Sequence, residues 1–88
     1  MSQTSTLICG IVQDTVGRPV GGARIVFAAG PVPLPEIAAI TGEDGSFCLS
    51  APIPGKYRIA CYADGFSSEV VTVMVQSATS ATISIRLH

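Results

Sequence analysis

Glycine-anchored turns recur along the whole chain and constrain its fold more than any other feature of the sequence. They fall at residues 10–14, 17–23, 42–47, 52–57 and 64–66. In the segments between them apolar residues alternate with others, which is the periodicity of half-buried β-strands, and no segment has helical periodicity. Short strands separated by turns at this spacing are typical of a β-sandwich or a β-barrel.

The alternation predicts seven strands, at residues 7–13, 23–29, 37–41, 46–50, 56–62, 68–76 and 81–87. In the first strand Leu7, Cys9 and Ile11 are expected to point outward, and in the fourth Phe47 and Leu49 are expected to point inward. Between the third and fourth strands, the Asp-Gly pair at 44–45 predicts a tight hairpin. We therefore expect an all-β fold, a seven-stranded antiparallel Greek-key β-sandwich.

The length of 88 residues suits a single domain that spans residues 1–88. Within it, residues 1–6 are expected to be an N-terminal lead-in, and residues 30–36 a proline-rich loop that carries Val32 and Leu34. Prolines at every second position favour a stiff, extended strip without backbone donors. We expect this strip to cross between the two sheets; the alternative is that it contacts a partner protein.

Several of the turns match, in order, the pattern of one family. The matching segments are GIVQD at 10–14, GRPV at 17–20, GA at 22–23, TGEDGSF at 41–47, PGKY at 54–57 and GF at 65–66. With these motifs, residues 6–88 resemble the carboxypeptidase regulatory-like domain family. The resemblance implies a transthyretin-like, immunoglobulin-like sandwich without catalytic activity. It also implies an accessory role, because such domains occur beside peptidases, in outer-membrane receptors, in adhesins and on injection-machine spikes.

The motif residues of this pattern are expected to be structural, in turns or in the core. They are Gly10, Asp44, Gly45, Phe47, Gly55, Tyr57 and Gly65. Because a buried phenol needs a partner for its hydroxyl, and because Tyr57 resembles the tyrosine of a tyrosine corner, we expect its hydroxyl to bind backbone.

The residues that could carry chemistry are too few for an active site. The only histidine is the last residue, His88, and the cysteines have no metal-binding spacing. The acidic residues Asp14, Glu43, Asp44 and Asp64 lie in turns, where their side chains are expected to bind backbone. The prediction is therefore no catalytic site, no cofactor and no metal. Carbohydrate or small-ligand binding is a remote alternative, because Tyr62 and Phe66 are the only aromatic residues expected to be partly exposed.

The charges argue against two classes of partner. The five basic residues are scattered, whereas nucleic-acid binding and electrostatic membrane binding call for a basic cluster. No apolar run approaches the length of a membrane span, and the N-terminus does not resemble a signal peptide. We expect a cytoplasmic protein, with leaderless export by an injection apparatus as the alternative.

The sequence contains three cysteines, Cys9, Cys48 and Cys61. An odd number of cysteines without a signal peptide favours free thiols in a reducing compartment. Alternation places Cys61 on the core face and the other two on outer faces. We expect all three to be free; a disulfide between Cys9 and Cys48 is the alternative.

Apolar residues on the predicted outer faces are the best indication of function. Charged residues make up 12% of the chain, about half of the usual share. Exposed apolar patches commonly mark interaction sites, although covering loops could also explain them. The candidate interaction residues are Leu7, Cys9, Ile11, Val26, Val32, Leu34, Val70 and Met74. We expect a non-catalytic module that self-associates into an oligomer or filament through sheet faces or edges. The alternative is a monomeric adaptor that docks on a larger protein, such as an injection spike or effector.

Overall fold

The computed structural model describes residues 6–33, 38–76 and 80–88, which form seven β-strands and no helix. The strands are β1 (Thr6–Gln13), β2 (Arg24–Ala29), β3 (Ala38–Ile40), β4 (Ser46–Ala51), β5 (Gly55–Tyr62), β6 (Glu69–Val75) and β7 (Ala81–Arg86). Thr6, expected in the lead-in, is the first residue of β1. Within the described ranges there is no helix with the length and apolar character needed to cross a membrane.

The strands form two sheets, as predicted. Sheet A has the order β4-β1-β7 and sheet B the order β3-β2-β5-β6. The expectation of antiparallel pairing throughout is wrong for one pair, because β1 and β7 run parallel. The edge strand of sheet B, β6, is followed in the chain by β7, which lies at the edge of sheet A and runs in the same direction as β1. The Greek-key connection stays a prediction.

Two connections differ from the sequence-based expectations. The turn at 42–45 has the hydrogen bond of a tight turn, from Gly45 N–H to the Gly42 carbonyl at 2.9 Å, but it does not form a hairpin. It leads from β3 in sheet B to β4 in sheet A, because β4 pairs with β1. The proline-rich loop, in turn, does not cross between the sheets: it joins β2 to β3, which pair within sheet B.

The core fills the space between the two sheets, where the inward residues of every strand except β3 bury their side chains. Its fully buried large side chains are Tyr57, Ile8, Ile25, Ile59, Ile85, Leu87, Val12 and Cys61. Gly10 also faces inward, and a Cβ there would collide with the Ile83 carbonyl oxygen. The strand β1 can therefore lie this close to β7 only with glycine at position 10.

The hydroxyl of Tyr57 ties the core to the connection between β4 and β5. It donates a hydrogen bond to the Ile53 carbonyl oxygen at 2.6 Å and accepts one from the Ile53 N–H at 3.3 Å. Its ring lies 5.3 Å from that of Phe27, between centroids. This arrangement confirms the predicted backbone contact of Tyr57, four residues upstream, as in a tyrosine corner.

Candidate functional site

The candidate interaction residues divide between the two outer faces of the sandwich. Three of them lie on sheet A and three on sheet B, so the structure does not bring them into one patch. Of the two in the proline-rich loop, Val32 is half-buried and Leu34 lies outside the described residues. The two sheet faces therefore have to be considered as separate surfaces.

The sheet A face is defined as the outward side chains of β4, β1 and β7. A line of apolar side chains runs along its centre, on β1. Leu7 and Ile11 are 44% and 43% exposed. Between them, Cys9 on β1 forms a disulfide with Cys48 on β4, its direct partner in the strand register. The line thus combines two aliphatic side chains with a disulfide that joins neighbouring strands.

The expectation of free thiols is wrong for Cys9 and Cys48. Alternation placed both on an outer face, but it could not show that β1 pairs with β4 in a register that puts them opposite each other. Their Cα atoms are 4.1 Å apart, close enough for a bond between the side chains. Cys61 is free and buried, as expected, and burial together with the charge of Glu69 raises the pKa of its thiol.

Small hydroxyl-bearing residues surround this apolar line. The register partners of Leu7, Cys9 and Ile11 on the flanking strands are Ser50, Thr82, Ser46 and Ser84. Arg86, at one end of β7, is the only charged side chain in the three strands of sheet A, all of which are described. The sheet A face is therefore nearly uncharged and carries no long polar side chain at its centre.

The sheet B face, defined as the outward side chains of β3, β2, β5 and β6, has an apolar row across all four strands. Register places Ala38, Val26, Ala60 and Val70 side by side. Ala60 is only 1% exposed although it points away from the core, because larger neighbours cover it. Val70 and Met74 are 46% and 64% exposed.

Two further apolar side chains on this face were missed in the sequence analysis. Ile40 and Tyr62 are 58% and 47% exposed, and both are register partners of Arg24 on β2. Ile40 belongs to a strand of only three residues, which is too short for its alternation to indicate a face. Tyr62 was recognised as partly exposed, but nothing local indicated that it joins a larger surface.

Basic residues give the sheet B face a different electrostatic character. Arg24, Lys56 and Arg58 alternate with its inward residues and are exposed. The one acidic residue in the described part of these strands, Glu69, is the register partner of buried Cys61 and lies on the inner side. The face is therefore apolar and positively charged, whereas the sheet A face is apolar and nearly neutral.

The carboxylates of Asp14 and Asp44 are engaged in turns, as predicted, whereas those of Glu43 and Asp64 form no hydrogen bond with the described residues, so the prediction is wrong for these two. Oδ1 of Asp14 accepts hydrogen bonds from the N–H groups of Val16 and Arg18, at 3.0 and 2.9 Å. Oδ1 of Asp44 accepts bonds from the N–H and the hydroxyl of Ser46. These donors lower the pKa of both carboxyls. In the ranges that the structure covers, no group of His, Cys, Asp or Glu side chains could hold a metal ion.

The fold is similar to that of several solved bacterial proteins. A DUF3823 family protein from Parabacteroides merdae is 16% identical with a TM-score of 0.72, over 98% of this chain and 47% of that one. The major pilin subunit of Bacillus cereus is 11% identical with a TM-score of 0.77, over 96% of this chain and 29% of that one. A chain of a type II cohesin–X-dockerin complex from Acetivibrio cellulolyticus is 14% identical with a TM-score of 0.65, over 93% of this chain and 56% of that one.

These similarities concern the fold, because every identity is below 25%. The chain spans less than half of the length of the first solved proteins that it matches, the two DUF3823 family proteins. No curated protein matches the sequence. The sequence pattern of the carboxypeptidase regulatory-like domain matches residues 8–88. This match covers nearly the whole chain, which therefore belongs to the carboxypeptidase regulatory-like domain family.

Proposed function

We propose that this domain is a non-catalytic protein-interaction module that associates with further copies of itself through the sheet A face. The family and the solved proteins of the same fold, a pilin subunit and a member of a cohesin complex among them, support a role in protein–protein contact. The observation that carries the self-association is the exposed line of Leu7, the Cys9–Cys48 disulfide and Ile11 on a nearly uncharged surface.

An uncharged face is suited to contact a copy of itself because little desolvation of charge opposes the contact. If two copies stack with their β1 strands antiparallel, Leu7 of one copy faces Ile11 of the other. Arg86 of one copy then lies at the opposite end of the interface from Arg86 of its mate, so the like charges stay apart. This geometry is a self-complementary two-fold contact, the commonest kind in homo-oligomers.

The expected strength of this contact is modest. Leu7 and Ile11 are already more than half buried in the single chain, so covering the rest contributes about 1 kcal/mol for each side chain. The two copies together then gain about 4 kcal/mol from four side chains, which is comparable with the lower estimates of the cost of association, about 4 kcal/mol and above. These four side chains alone therefore leave little net free energy for association, so we expect a weak equilibrium that depends on concentration, with a dissociation constant above about 1 mM.

Light scattering coupled to size-exclusion chromatography tests the proposal over a hundredfold range of concentration. The average mass of the wild-type particles should increase as the concentration rises. The Ile11→Lys variant should remain a monomer, because a cation would be buried in the interface. Val16→Lys is the matched control: Val16 is 71% exposed in the turn after β1 and belongs to neither sheet face, so assembly should persist. Assembly of the Ile11→Lys variant, with native circular dichroism, would exclude the sheet A face and point to the strand edges.

The charge pattern of sheet B favours a second candidate function. Three cations beside an apolar row suit a partner that offers both carboxylates and apolar side chains, and they oppose contact with a second copy of the same face. We propose as the alternative that the domain is a monomeric adaptor whose sheet B face docks on a larger protein, such as an injection spike or effector. A wild-type chain that is monomeric at every concentration favours this alternative. Binding to that partner should then weaken with added salt and be lost in the Lys56→Glu, Arg58→Glu double variant.

A further inference from the structure

A concave pocket of about 260 Å³ lies at the end of the sheet B face where β2 and β5 meet the turn after β5. The side chains that give it chemical character are Arg24, Ile40, Tyr62, Asp64, Phe66 and Ser68. They come from three strands and one turn, so nothing in the local sequence indicates that they meet. The sheet A contact proposed above does not involve this pocket, whereas Arg24 also belongs to the sheet B face.

Backbone hydrogen bonds hold the walls of the pocket in place. On one side, the buried hydroxyl of Thr41 accepts a bond from Ala23 N–H at 2.8 Å and donates one to the Val20 carbonyl at 2.7 Å. These bonds fix the start of β2, beside Arg24. On the other side, Phe66 N–H donates to the Ala63 carbonyl at 3.1 Å, which closes the turn that carries Asp64.

The floor of the pocket is set by strand register. Arg24 pairs with Ile40 on one side and with Tyr62 on the other, so three side chains stand in a row on the outer face. The phenol of Tyr62 is nearly half exposed, while Phe66 packs partly against the core. The pocket therefore offers aromatic and aliphatic surface together with polar groups, as ligand pockets do.

The polar groups of the pocket suit a ligand that both donates and accepts hydrogen bonds. A guanidinium only donates, a carboxylate only accepts, and a serine hydroxyl does both. Within the described part of the chain, no hydrogen bond or ion pair engages the side chains of Arg24, Asp64 or Ser68. Their hydrogen-bonding capacity faces solvent and is available to a ligand.

The pairing of one cation with one anion selects against ligands that carry a net charge. An anion attracted to Arg24 is repelled by Asp64, and a cation meets the reverse situation. A neutral ring with several hydroxyl groups uses both side chains, and its C–H groups can lie against the electron-rich faces of aromatic rings. We propose that this pocket binds one pyranose ring of a neutral saccharide, with Tyr62 as the stacking surface and Arg24 and Asp64 as the hydroxyl ligands.

Nuclear magnetic resonance titration of the ¹⁵N-labelled chain tests the proposal. The probes are the methyl glycosides of glucose, galactose, mannose and N-acetylglucosamine, and the corresponding disaccharides, each added to about 50 mM because a single-ring site is expected to bind in the millimolar range. At least one probe should give saturable shifts of the amides of Arg24, Tyr62 and Phe66. The absence of saturable shifts with all probes overturns the proposal.

Two variants separate the role of the ring from that of the fold. Tyr62→Ala should weaken binding at least about tenfold, a loss of about 1.4 kcal/mol, with the remaining spectrum unchanged. Tyr62→Phe keeps the ring and should bind nearly as the wild type does. Equal binding by wild type and Tyr62→Ala contradicts the proposal.

Acetate and phosphate are the ionic controls. If they shift the amide signals of the pocket and no sugar does, the pocket is an anion site and the saccharide proposal is wrong. Met74→Ala, at the other end of the same face, is the matched control and should leave sugar binding unchanged.

Discussion

Two buried hydroxyl groups bind the backbone of irregular segments next to the core. The hydroxyl of Thr41 bridges the segment before β2, and that of Tyr57 bridges the connection before β5. No buried polar side-chain atom in the described residues lacks a hydrogen-bond partner. Because an unpaired buried polar group costs more free energy than a formed bond contributes, these two residues are expected to tolerate substitution poorly.

Tyr57→Phe should lower the free energy of unfolding by about 1–2 kcal/mol, since it leaves the Ile53 carbonyl and N–H without their partner. Urea denaturation followed by circular dichroism measures the change. Tyr62→Phe is the matched control, because its exposed hydroxyl has no hydrogen bond among the described residues, and its effect should stay within about 0.5 kcal/mol. Equal unfolding free energies for the two variants would contradict a structural role for the Tyr57 hydroxyl.

The carboxylates of Asp14 and Asp44 should make stability depend on pH. Their pKa values are lowered in the folded chain by hydrogen bonds, chiefly from Arg18 N–H and from the hydroxyl of Ser46, respectively. Protons therefore bind the unfolded chain more readily, so this contribution is present above pH 3.8 and is lost as pH falls below it.

Thermal unfolding between pH 7 and pH 2 tests this expectation. The Asp14→Asn, Asp44→Asn double variant keeps an acceptor oxygen at each turn but cannot titrate there. The midpoint temperature of unfolding of this variant should decrease less steeply, as the pH falls, than that of the wild type. Parallel curves for the two proteins would show that the turns contribute nothing to the pH dependence.

At the scale of elements, β1 holds sheet A together. It is the central strand, with β4 antiparallel on one side and β7 parallel on the other. The disulfide adds a covalent link between β1 and β4 and closes a segment with a sequence separation of 39 residues. A link of this span restricts the unfolded chain much more than the folded one.

Replacing both bonded cysteines, as Cys9→Ser with Cys48→Ser, should destabilise the domain by about 2–4 kcal/mol, from the lost restriction of the unfolded chain. Denaturation with and without reductant measures this effect, and reductant should not change the double variant. Cys61→Ala is the control that retains sensitivity to reductant. Thiol titration of the denatured, unreduced wild type should detect one thiol of the three cysteines; three would show that the bond is absent in solution.

Sequence alternation predicted the existence and facing of the strands well, because both depend on neighbouring residues. The outward set of β1 and the inward Phe47 and Leu49 of β4 follow directly from the period of two. Sheet order depends on contacts between distant segments, which alternation does not encode. The parallel β1–β7 pair, the Cys9–Cys48 pairing and the route of the turn at 42–45 are all consequences of sheet order.

The sequence predicted only part of the candidate surfaces, because alternation indicates which way a side chain faces but not which strands are neighbours. Exposure of Leu7, Ile11, Val70 and Met74 follows from alternation. Their division between two opposite faces, and the meeting of Arg24 with Tyr62, required the strand register. A single sequence indicates which side chains face solvent, whereas the shape and charge of the surface they form depend on which strands become neighbours.

At the scale of the whole molecule, the domain presents two apolar faces of different charge on opposite sides. Two opposite contact surfaces allow an open stack of copies, whereas one surface allows only a pair. The cations of the sheet B face oppose a contact between two such faces, and salt weakens that repulsion. Assembly should therefore proceed in two stages, with sheet A contacts first.

We expect dimers at low ionic strength and longer assemblies at about 1 M salt, where charge repulsion extends only about 3 Å. Light scattering across a salt series measures the mass. Contacts between sheet A faces alternate with contacts between sheet B faces, so fibre diffraction of the longer assemblies should show a repeat of two domains, about 40 Å, or four sheet spacings of about 10 Å each. Met74→Lys should block growth beyond the dimer, whereas Ile11→Lys should remove the dimer itself. Salt-induced growth of the Met74→Lys variant would exclude stacking through sheet B.

The parallel pairing of β1 with β7 also determines how the domain responds to tension. The chain enters β1 at one end of this pair and leaves β7 at the other, and six register pairs join the two strands. A pull on the two ends of the domain acts along both strands in opposite directions, so the hydrogen bonds between them bear the load together and cannot open one at a time. Once they fail, the disulfide still prevents the segment between Cys9 and Cys48 from being drawn out. The domain is thus arranged to resist stretching. When the force breaks the hydrogen bonds between β1 and β7, the chain extends by less than its full unfolded length.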